Sequence, residues 1–192
     1  KRNRLFIIGS LHGIEIEPPK KIIKRPVTVQ EAFHDLPELE NGASQSVLAY
    51  PRKARNFYAK ALRGDLDFCS NNIVTNNAPH IIERYRCIPQ GGNWEHIPKK
   101  LMGNYEDVSR CHTGIYRRLI EDEPSVVIGN FRKNMLIHPW RDRGLSVREA
   151  ARLQSIPDWF EFHGSIGFQQ QQVGNLVPPL LAKAVFNQIQ SY

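Results

Sequence analysis

Residues 143–158 read RGLSVREAARLQSIPD, and this stretch decides the local fold of the last quarter of the chain. Ser146 and Glu149 have the spacing of a capping box, in which the serine hydroxyl accepts a backbone hydrogen bond and the glutamate bonds back to the serine amide. The pattern predicts a helix over about 147–155. Pro157 ends it, because proline disfavours the helical conformation in the residue before it.

A second capping box lies near the beginning of the chain. Thr28 and Glu31 have the same spacing, and Ala32 and Phe33 follow on one helical side. We therefore predict a short helix over about 29–36, before Pro37.

The two ends of the chain carry apolar elements. Leu5–Ile8 is too short for a helix and predicts a strand that is apolar on both faces, so it belongs inside a sheet. Pro178 and Pro179 begin a final helix. Its apolar face consists of Leu180, Leu181, Ala184, Val185 and Ile189. Because no nearby segment offers matching strands, we expect the sheet partners of Leu5–Ile8 to lie outside this chain.

The middle of the chain is irregular. Residues 71–114 contain Asn-Asn and Gly-Gly pairs and three prolines, and only 80–86 resembles a helix. Residues 114–120 and 125–129 predict two short strands, and 50–63 predict a basic helix or loop. A long irregular stretch inside a compact domain is usually functional.

Composition limits the class of protein. The chain has 192 residues, 26 Lys and Arg against 19 Asp and Glu, and 41% hydrophobic residues. These values predict one domain or two small ones with a real core, and exclude a disordered polymer. No apolar run is long enough for a membrane span, and no signal-peptide cleavage region follows the first residues. We expect a soluble, cytoplasmic protein.

Basic residues are concentrated near the N-terminus, at 20–25 and at 52–63, where aromatic residues lie between them. This pattern suits a polyanion such as nucleic acid, because Lys and Arg displace counterions from phosphates while aromatic rings stack. A solvated basic face remains an equal alternative.

The cysteines and histidines do not predict a metal site. Cys69, Cys87 and Cys111 are too far apart for a CxxC zinc site, and their odd number does not fit a framework of paired disulfides. The histidines also lack the spacing of metal ligands.

Two C-terminal strings resemble motifs of the DNA (cytosine-5)-methyltransferases. Residues 143–158, followed by Phe160, Phe162 and Gly164, resemble the ninth motif, and residues 172–182 (QVGNLVPPLLA) resemble the tenth. Residues 2–8 (RNRLFII) are similar to the eighth. In this family the variable target recognition domain lies between the eighth and ninth motifs.

The resemblance implies an α+β chain in three parts. Residues 1–39 would end the catalytic-domain sheet, 40–140 would form an irregular target recognition domain with short strands, and 141–192 would return to the catalytic domain. The orphan strand and the C-terminal helix would belong to an α/β, Rossmann-like methyltransferase domain.

The resemblance also implies site residues. Arg4 would hydrogen-bond the flipped cytosine, with Arg2 in support, and S-adenosylmethionine would contact Asn175, Leu176 and Val177. The middle of the chain would bind double-stranded DNA. Its candidate residues have side chains that bind base edges or phosphates: Arg84, Arg86, Asn93, Trp94, Arg110, Arg117 and Arg118.

Two further expectations concern residues within these motifs. Arg148, Glu149 and Arg152 would form a structural charge network, and Arg143 would reach a phosphate. The loop Gln90–Trp94 is either pressed against DNA or an ordinary turn anchored by Trp94.

The family's other motifs are absent from this sequence. It has no Gly-rich cofactor loop, no Pro-Cys pair with the nucleophile and no Glu-Asn-Val triplet. The chain thus resembles the C-terminal part of a bacterial restriction-modification enzyme: a fragment, a truncated gene product or the small subunit of a split enzyme. It would need an N-terminal catalytic half, and alone it would self-associate. The alternative is a non-catalytic DNA-binding remnant or regulator.

Overall fold

The structure is a computed structural model that describes residues 6–11, 13–20, 25–103, 114–129, 131 and 135–192. None of the helices in these ranges has the length and apolar character that crossing a membrane requires. The described elements, in chain order, are α1 (Val29–Phe33), β1 (Leu48–Ala49), α2 (Phe57–Arg63), β2 (Phe68–Cys69), α3 (Pro79–Arg86), two 3₁₀ turns (Trp94–His96 and Lys99–Leu101), α4 (Val147–Leu153), α5 (Ile166–Asn175) and α6 (Pro179–Gln190).

Both predicted capping boxes are confirmed. Thr28 and Ser146 each accept a hydrogen bond from the amide three residues later, and Glu31 and Glu149 each bond back to the cap amide. Helix α1 ends at Phe33 and is followed by a turn, so it is shorter than the sequence predicted.

The main core forms where α4 packs between α1 and α5. Ala150, Ala151 and Val147 of α4 are fully buried, and their small side chains allow the neighbouring helices to approach closely. The other buried members of this core are Val29, Ala32, Phe33, Leu36, Cys69, Leu119, Ile128, Phe131, Leu136, Leu145, Ile156, Phe162 and Val173.

A second, smaller core lies below α3. Tyr85 and Tyr116 meet edge to face at 6.0 Å between ring centroids, and both are buried. The remaining buried members are Ile88, Ile97, Met102 and Ile137. The irregular middle of the chain thus has its own apolar centre.

The described β-structure is one pair of two-residue strands. Strands β1 and β2 are antiparallel, with Leu48 opposite Cys69. The prediction of strands at 114–120 and 125–129 was wrong, because this backbone bonds to several different segments. Arg118 bonds to the Gly91–Gly92 turn and Leu119 to Ile137, and no described ladder includes residues 125–129.

The predicted N-terminal strand is not present in its described part. Phe6–Ile8 has no regular structure, and Ile7 is 88% exposed. Leu5 lies outside the described residues. A strand needs a neighbour to bond its backbone groups, and no other described segment pairs with Phe6–Ile8.

Helix α5 was not predicted from the sequence. It contains two glycines and four consecutive glutamines, so its apolar periodicity is weak. Its inner face is formed by Val173 together with the buried amides of Gln169 and Gln170. The final helix, predicted to follow Pro178 and Pro179, is confirmed as α6.

Candidate functional site

Helix α4 is the buried centre of the candidate site. Arg148 and Arg152 are fully buried and Glu149 is 2% exposed. Burying a charge is unfavourable unless the charge is paired and hydrogen-bonded. The partners of these three side chains therefore identify the segments that α4 holds together.

Glu149 binds Arg143 through two hydrogen bonds, of 2.8 and 2.7 Å. Arg143 also donates to the carbonyl of Leu39 and is 3% exposed. The expectation that Arg143 reaches a phosphate was therefore wrong, since its guanidinium is enclosed and bonded within the protein. Burial alone would raise the pKa of Glu149, but the charge of Arg143 and the hydrogen bonds hold it at about 2.

Arg152 links two aspartates that lie far apart in the sequence. Its guanidinium is 2.6 Å from Asp35 and 2.5 Å from Asp158, and all three side chains are fully buried. Tyr50 donates to Asp158 at 2.5 Å. Burial alone would lower the pKa of Arg152, but the two carboxylates raise it, so the cation stays charged.

Arg148 binds backbone carbonyls instead of a close carboxylate. It donates to the carbonyls of Ser70 at 2.9 Å and Phe160 at 2.7 Å, and lies 3.6 Å from Asp158. Burial lowers its pKa below the usual value. Arg148 and Arg152 share Asp158, as expected of a structural charge network, whereas Glu149 pairs with Arg143 and not with either of them.

Asn71 joins this network to α5. Its side chain donates to the carbonyl of Phe162 at 2.8 Å and to Gln169 at 2.9 Å, and accepts from the amide of Phe162 at 3.1 Å and from Arg148 at 3.2 Å. Its φ of 64° lies in the left-handed region, which asparagine tolerates better than most residues. The side-chain amide of Asn71, just after β2, therefore bonds to both α4 and α5.

His138 is buried against the same helix. Its ring stacks on Phe33 at 5.5 Å and meets Trp140 edge to face at 4.6 Å. Burial lowers its pKa to about 4, despite the opposing charge of Glu149. The ring is therefore neutral at physiological pH.

The neutral His138 predicts a pH dependence of stability. A depressed histidine pKa means that the unfolded chain binds the proton more readily, so stability falls as pH drops from 6.5 to about 4. The loss reaches at most about 3 kcal/mol for such a shift. Urea unfolding at several pH values should show this decline in the wild type and a smaller one in His138→Gln.

The matched control for this pH series is His163→Gln, which removes an exposed histidine. It should keep the wild-type decline. Equal pH profiles for wild type and His138→Gln would contradict the assignment of the decline to His138.

Two predicted DNA-binding arginines are structural instead. Arg84 is 4% exposed and donates to the carbonyl of Leu101 and the hydroxyl of Tyr116. Arg118 is 6% exposed and donates to four backbone carbonyls and to Asp142 at 2.6 Å. Their guanidinium groups are buried and bonded inside the protein, so they are not displayed to DNA.

The Gln90–Trp94 loop is a turn held by the protein itself. Gly91 donates to the carbonyl of Arg118, and Arg118 donates back to Gly92. Asn93 is 6% exposed and caps the first 3₁₀ turn, so it too is structural. Trp94 is half-buried and packs on the second core. Of the two alternatives, the structure supports the internally anchored turn.

The remaining DNA-binding candidates differ in accessibility. The side chain of Arg86 is 66% exposed, 3.9 Å from Asp142. Arg117 is half-buried, and Arg110 lies outside the described residues. Lys53, Lys60, Lys99 and Lys100 are also exposed.

The tenth-motif segment lies at the end of α5. Asn175 and Val177 are exposed, whereas Leu176 packs against the main core. Leu176 thus anchors the segment and its two neighbours face outward. Arg2 and Arg4, the candidates for the cytosine pocket, lie outside the described residues.

The end of α4 holds this segment in place. Ser155 has a φ of 58° and completes a Schellman motif, in which Ile156 donates to the carbonyl of Ala151. The Ser155 hydroxyl accepts from the amide of Leu180 at 3.3 Å, and Gln154 donates to the carbonyl of Val173. The end of α4 therefore supports residues 172–182 directly.

An open apolar groove of about 370 Å³ adjoins this segment. Leu180 and Pro178 form one wall and Phe57 another, and Phe57 is 84% exposed. The other lining residues are Pro26, Val27, Tyr58, Pro124, Ser125, Val126, Val127, Ile128, Leu153, Gln154, Ser155 and Leu181.

Sequence reasoning missed several residues of the site, among them Asp35, Tyr50, Asn71 and Asp158. Asp35, Tyr50 and Asn71 lack a local motif and gain their roles from partners distant in the chain. Asp158 lies in the 143–158 stretch, six residues after its partner Arg152, but the sequence does not mark it as that partner. A weak indication was available in the sequence, because two arginines on the inner face of α4 require hydrogen-bond acceptors. The sequence does not show which residues supply those acceptors.

Comparison with known proteins identifies the family. The model of the C-5 cytosine-specific DNA methylases matches residues 1–191. The chain is 30% identical to the type II methyltransferase M.DdeI of Desulfomicrobium norvegicum, covering 100% of this chain and 51% of that protein. It is 35% identical to M1.HphI of Haemophilus parahaemolyticus, covering 96% of this chain and 42% of that protein.

A solved structure supports the fold. It belongs to a protein described as a DNA modification methyltransferase encoded within an E. coli prophage, with a TM-score of 0.65 and 23% identity over 89% of this chain and 48% of that one. The chain thus spans about half the length of each of these three relatives. By the match over 1–191, the chain belongs to the C-5 cytosine-specific DNA methylase family.

Proposed function

We propose that this chain is the DNA-recognising, C-terminal portion of an S-adenosylmethionine-dependent DNA (cytosine-5)-methyltransferase of a bacterial restriction-modification system. The observation that carries the proposal is the exposed tenth-motif segment. Asn175 and Val177 face outward beside an open apolar groove, on a scaffold whose buried charges Arg143, Glu149 and Arg152 are paired within the protein. Such a surface suits a small ligand and a second domain.

The residues of this segment fit the methionine end of S-adenosylmethionine. The amide of Asn175 can both donate and accept hydrogen bonds, and Val177, 48% exposed, offers an apolar wall. Leu176 would fix the segment against the core. When bound, the cofactor supplies the methyl group that is transferred to carbon 5 of cytosine.

DNA would be bound by side chains that remain accessible. Among the described residues, Arg86, Arg117 and the exposed lysines would contact the DNA. The family resemblance adds Arg2 and Arg4 as candidates. The buried Arg84, Arg118 and Asn93 would shape the recognition domain without touching DNA.

The nucleophile would come from a catalytic half. A cytosine nucleophile must be an accessible thiolate, whereas Cys69 is 1% exposed and burial raises its pKa. Cys87 and Cys111 each follow an arginine and not a proline. We propose that a polypeptide carrying Pro-Cys and Glu-Asn-Val completes the enzyme, and that it also covers exposed apolar residues such as Leu180 and Phe186.

The purified chain alone should transfer no methyl group from S-adenosylmethionine to DNA, because Cys69 is buried and neither Cys87 nor Cys111 follows a proline. Co-expression with the adjoining coding segment that carries Pro-Cys should restore incorporation of labelled methyl groups. In that complex, Asn175→Ala should raise the KM for S-adenosylmethionine about tenfold, as loss of one or two hydrogen bonds implies. Thermal melting of the variant should be unchanged.

The matched control is Asn187→Ala, which removes an exposed amide from α6. It should leave the KM unchanged. Methyl transfer by the chain alone, abolished by mutating one of its cysteines, would contradict the proposal. An intact complex without activity, or no adjoining Pro-Cys segment, would favour the DNA-binding remnant. Sedimentation of the isolated chain tests whether its apolar surface drives self-association.

A further inference from the structure

A carboxylate-bridged pair of arginines lies on the surface beside α1. The Glu38 side chain accepts from Arg52 at 2.7 Å through one oxygen and from Arg141 at 2.6 Å through the other. The side chain of Arg52 is 52% exposed, that of Glu38 54% and that of Arg141 40%. A hydrogen bond from Arg52 and the charges of both arginines lower the pKa of Glu38.

The backbone carbonyl of each arginine accepts a hydrogen bond from a second arginine, which is half-buried in one case and buried in the other. Arg63 donates to the carbonyl of Arg52 at 2.7 Å and stacks over Tyr50 at 3.8 Å. Arg118 donates to the carbonyl of Arg141 at 3.0 Å. The guanidinium groups of Arg52 and Arg141 therefore share the Glu38 carboxylate, and the backbone of each arginine is hydrogen-bonded in place.

We propose that Arg52 and Arg141 form a binding point for a DNA backbone phosphate, and that Glu38 occupies it until DNA displaces the carboxylate. This inference rests on the proposed DNA-binding function and adds the residues of one contact. Without DNA, the carboxylate of Glu38 lies where the DNA phosphate would bind between the two arginines.

The chemistry of the site favours a phosphate. Guanidinium groups bind carboxylates and phosphates through the same paired donors. An exposed carboxylate is a weak competitor, since exposed ion pairs contribute little, whereas duplex DNA gains from the release of condensed counterions.

The surrounding charge favours an extended polyanion. Lys53, Arg55 and Lys60 lie exposed on the segment that follows Arg52. Of the acidic groups close in sequence, Asp142 is already bonded to Arg118, and Glu40 is exposed two residues beyond Glu38. The half-exposed Trp140, packed on His138, adds an aromatic edge beside Arg141.

The test is binding of a short fluorescein-labelled DNA duplex to the full chain, followed by anisotropy across a salt series. Glu38→Gln should bind about three- to tenfold more tightly than wild type, because it removes the competing anion. Arg52→Ala and Arg141→Ala should each weaken binding about three- to tenfold and lower the salt slope by about one.

Two controls separate a local effect from a change in net charge. Glu161→Gln, which neutralises another exposed glutamate, and Lys183→Ala, on α6, should change affinity less than twofold. The gain from Glu38→Gln should also vanish in a chain that carries Arg52→Ala and Arg141→Ala. Circular dichroism checks that each variant is folded.

Each outcome decides the inference. Salt-dependent binding by wild type with Glu38→Gln equal to Glu161→Gln overturns this site and leaves the DNA-binding function standing. Absence of duplex binding at low ionic strength overturns both. If Glu38→Gln tightens binding of poly-glutamate and not of DNA, the partner is an acidic protein and the assignment to phosphate is wrong.

Discussion

Arg152→Ala is expected to lower the free energy of unfolding by about 3 to 5 kcal/mol, the cost of leaving buried charges without their partner. The substitution removes the nearest cation from two buried carboxylates, Asp35 and Asp158. It leaves them only the more distant Arg63, 3.7 Å from Asp35, and Arg148, 3.6 Å from Asp158. It also frees the carbonyl of Ala32, to which Arg152 donates at 3.0 Å. Since small domains are stable by only about 5 to 15 kcal/mol, the variant should lose a large share of its stability. Urea unfolding measures the loss.

The control is Arg25→Ala, which breaks an ion pair at the surface. Arg25 lies 2.5 Å from Glu31 but is 68% exposed, so its loss should cost no more than about 1 kcal/mol. A loss of that size for Arg152→Ala would show that its carboxylates find other partners or water, and would contradict the network described above.

Asn71→Ala is expected to be nearly as damaging, with a loss of about 2 to 4 kcal/mol from unmet buried hydrogen bonds and backbone strain. Phe162 loses partners for both its amide and its carbonyl, and Gln169 and Arg148 each lose one. Alanine must also adopt a φ of 64°. Thermal or urea unfolding measures the effect.

The two contributions at Asn71 can be separated. Glycine adopts a positive φ without strain, so Asn71→Gly should be about 1 kcal/mol more stable than Asn71→Ala. Asn76→Ala serves as the control, because Asn76 is exposed and its side chain bonds only to Asn41 among the contacts described. If Asn71→Ala and Asn76→Ala lose equal stability, Asn71 is not the link between α4 and α5.

The sequence predicted those elements whose determinants are local. A capping box is complete within four residues, and proline acts on its own neighbours, so α1, α4 and α6 could be predicted. The contact between Arg152 and Asp35 joins residues 117 positions apart, and no local pattern marks it.

The arginines show the same limit most clearly. Arg84 and Arg86 are two residues apart on α3, and the sequence gives both the same prediction of DNA contact. One lies buried against the carbonyl of Leu101, and the other is exposed. Which arginine is buried depends on the direction of the helix face and on carbonyls from other segments. The same reason explains why Arg118 and Arg143 were assigned to DNA and phosphate.

The Asn71 link sets a rule for building chimaeric methyltransferases. Exchanging residues 40–135 for those of a relative would move Tyr50 and Asn71 with the graft, while Arg148 and Asp158 stay with the host. Each side of the junction then carries half of a buried polar network. A graft that supplies a phenol at 50 and an amide at 71 should be accepted, whereas one that lacks them would bury unmatched donors and acceptors. The exchanged segment and its partners on α4 therefore have to match for the chimaera to fold.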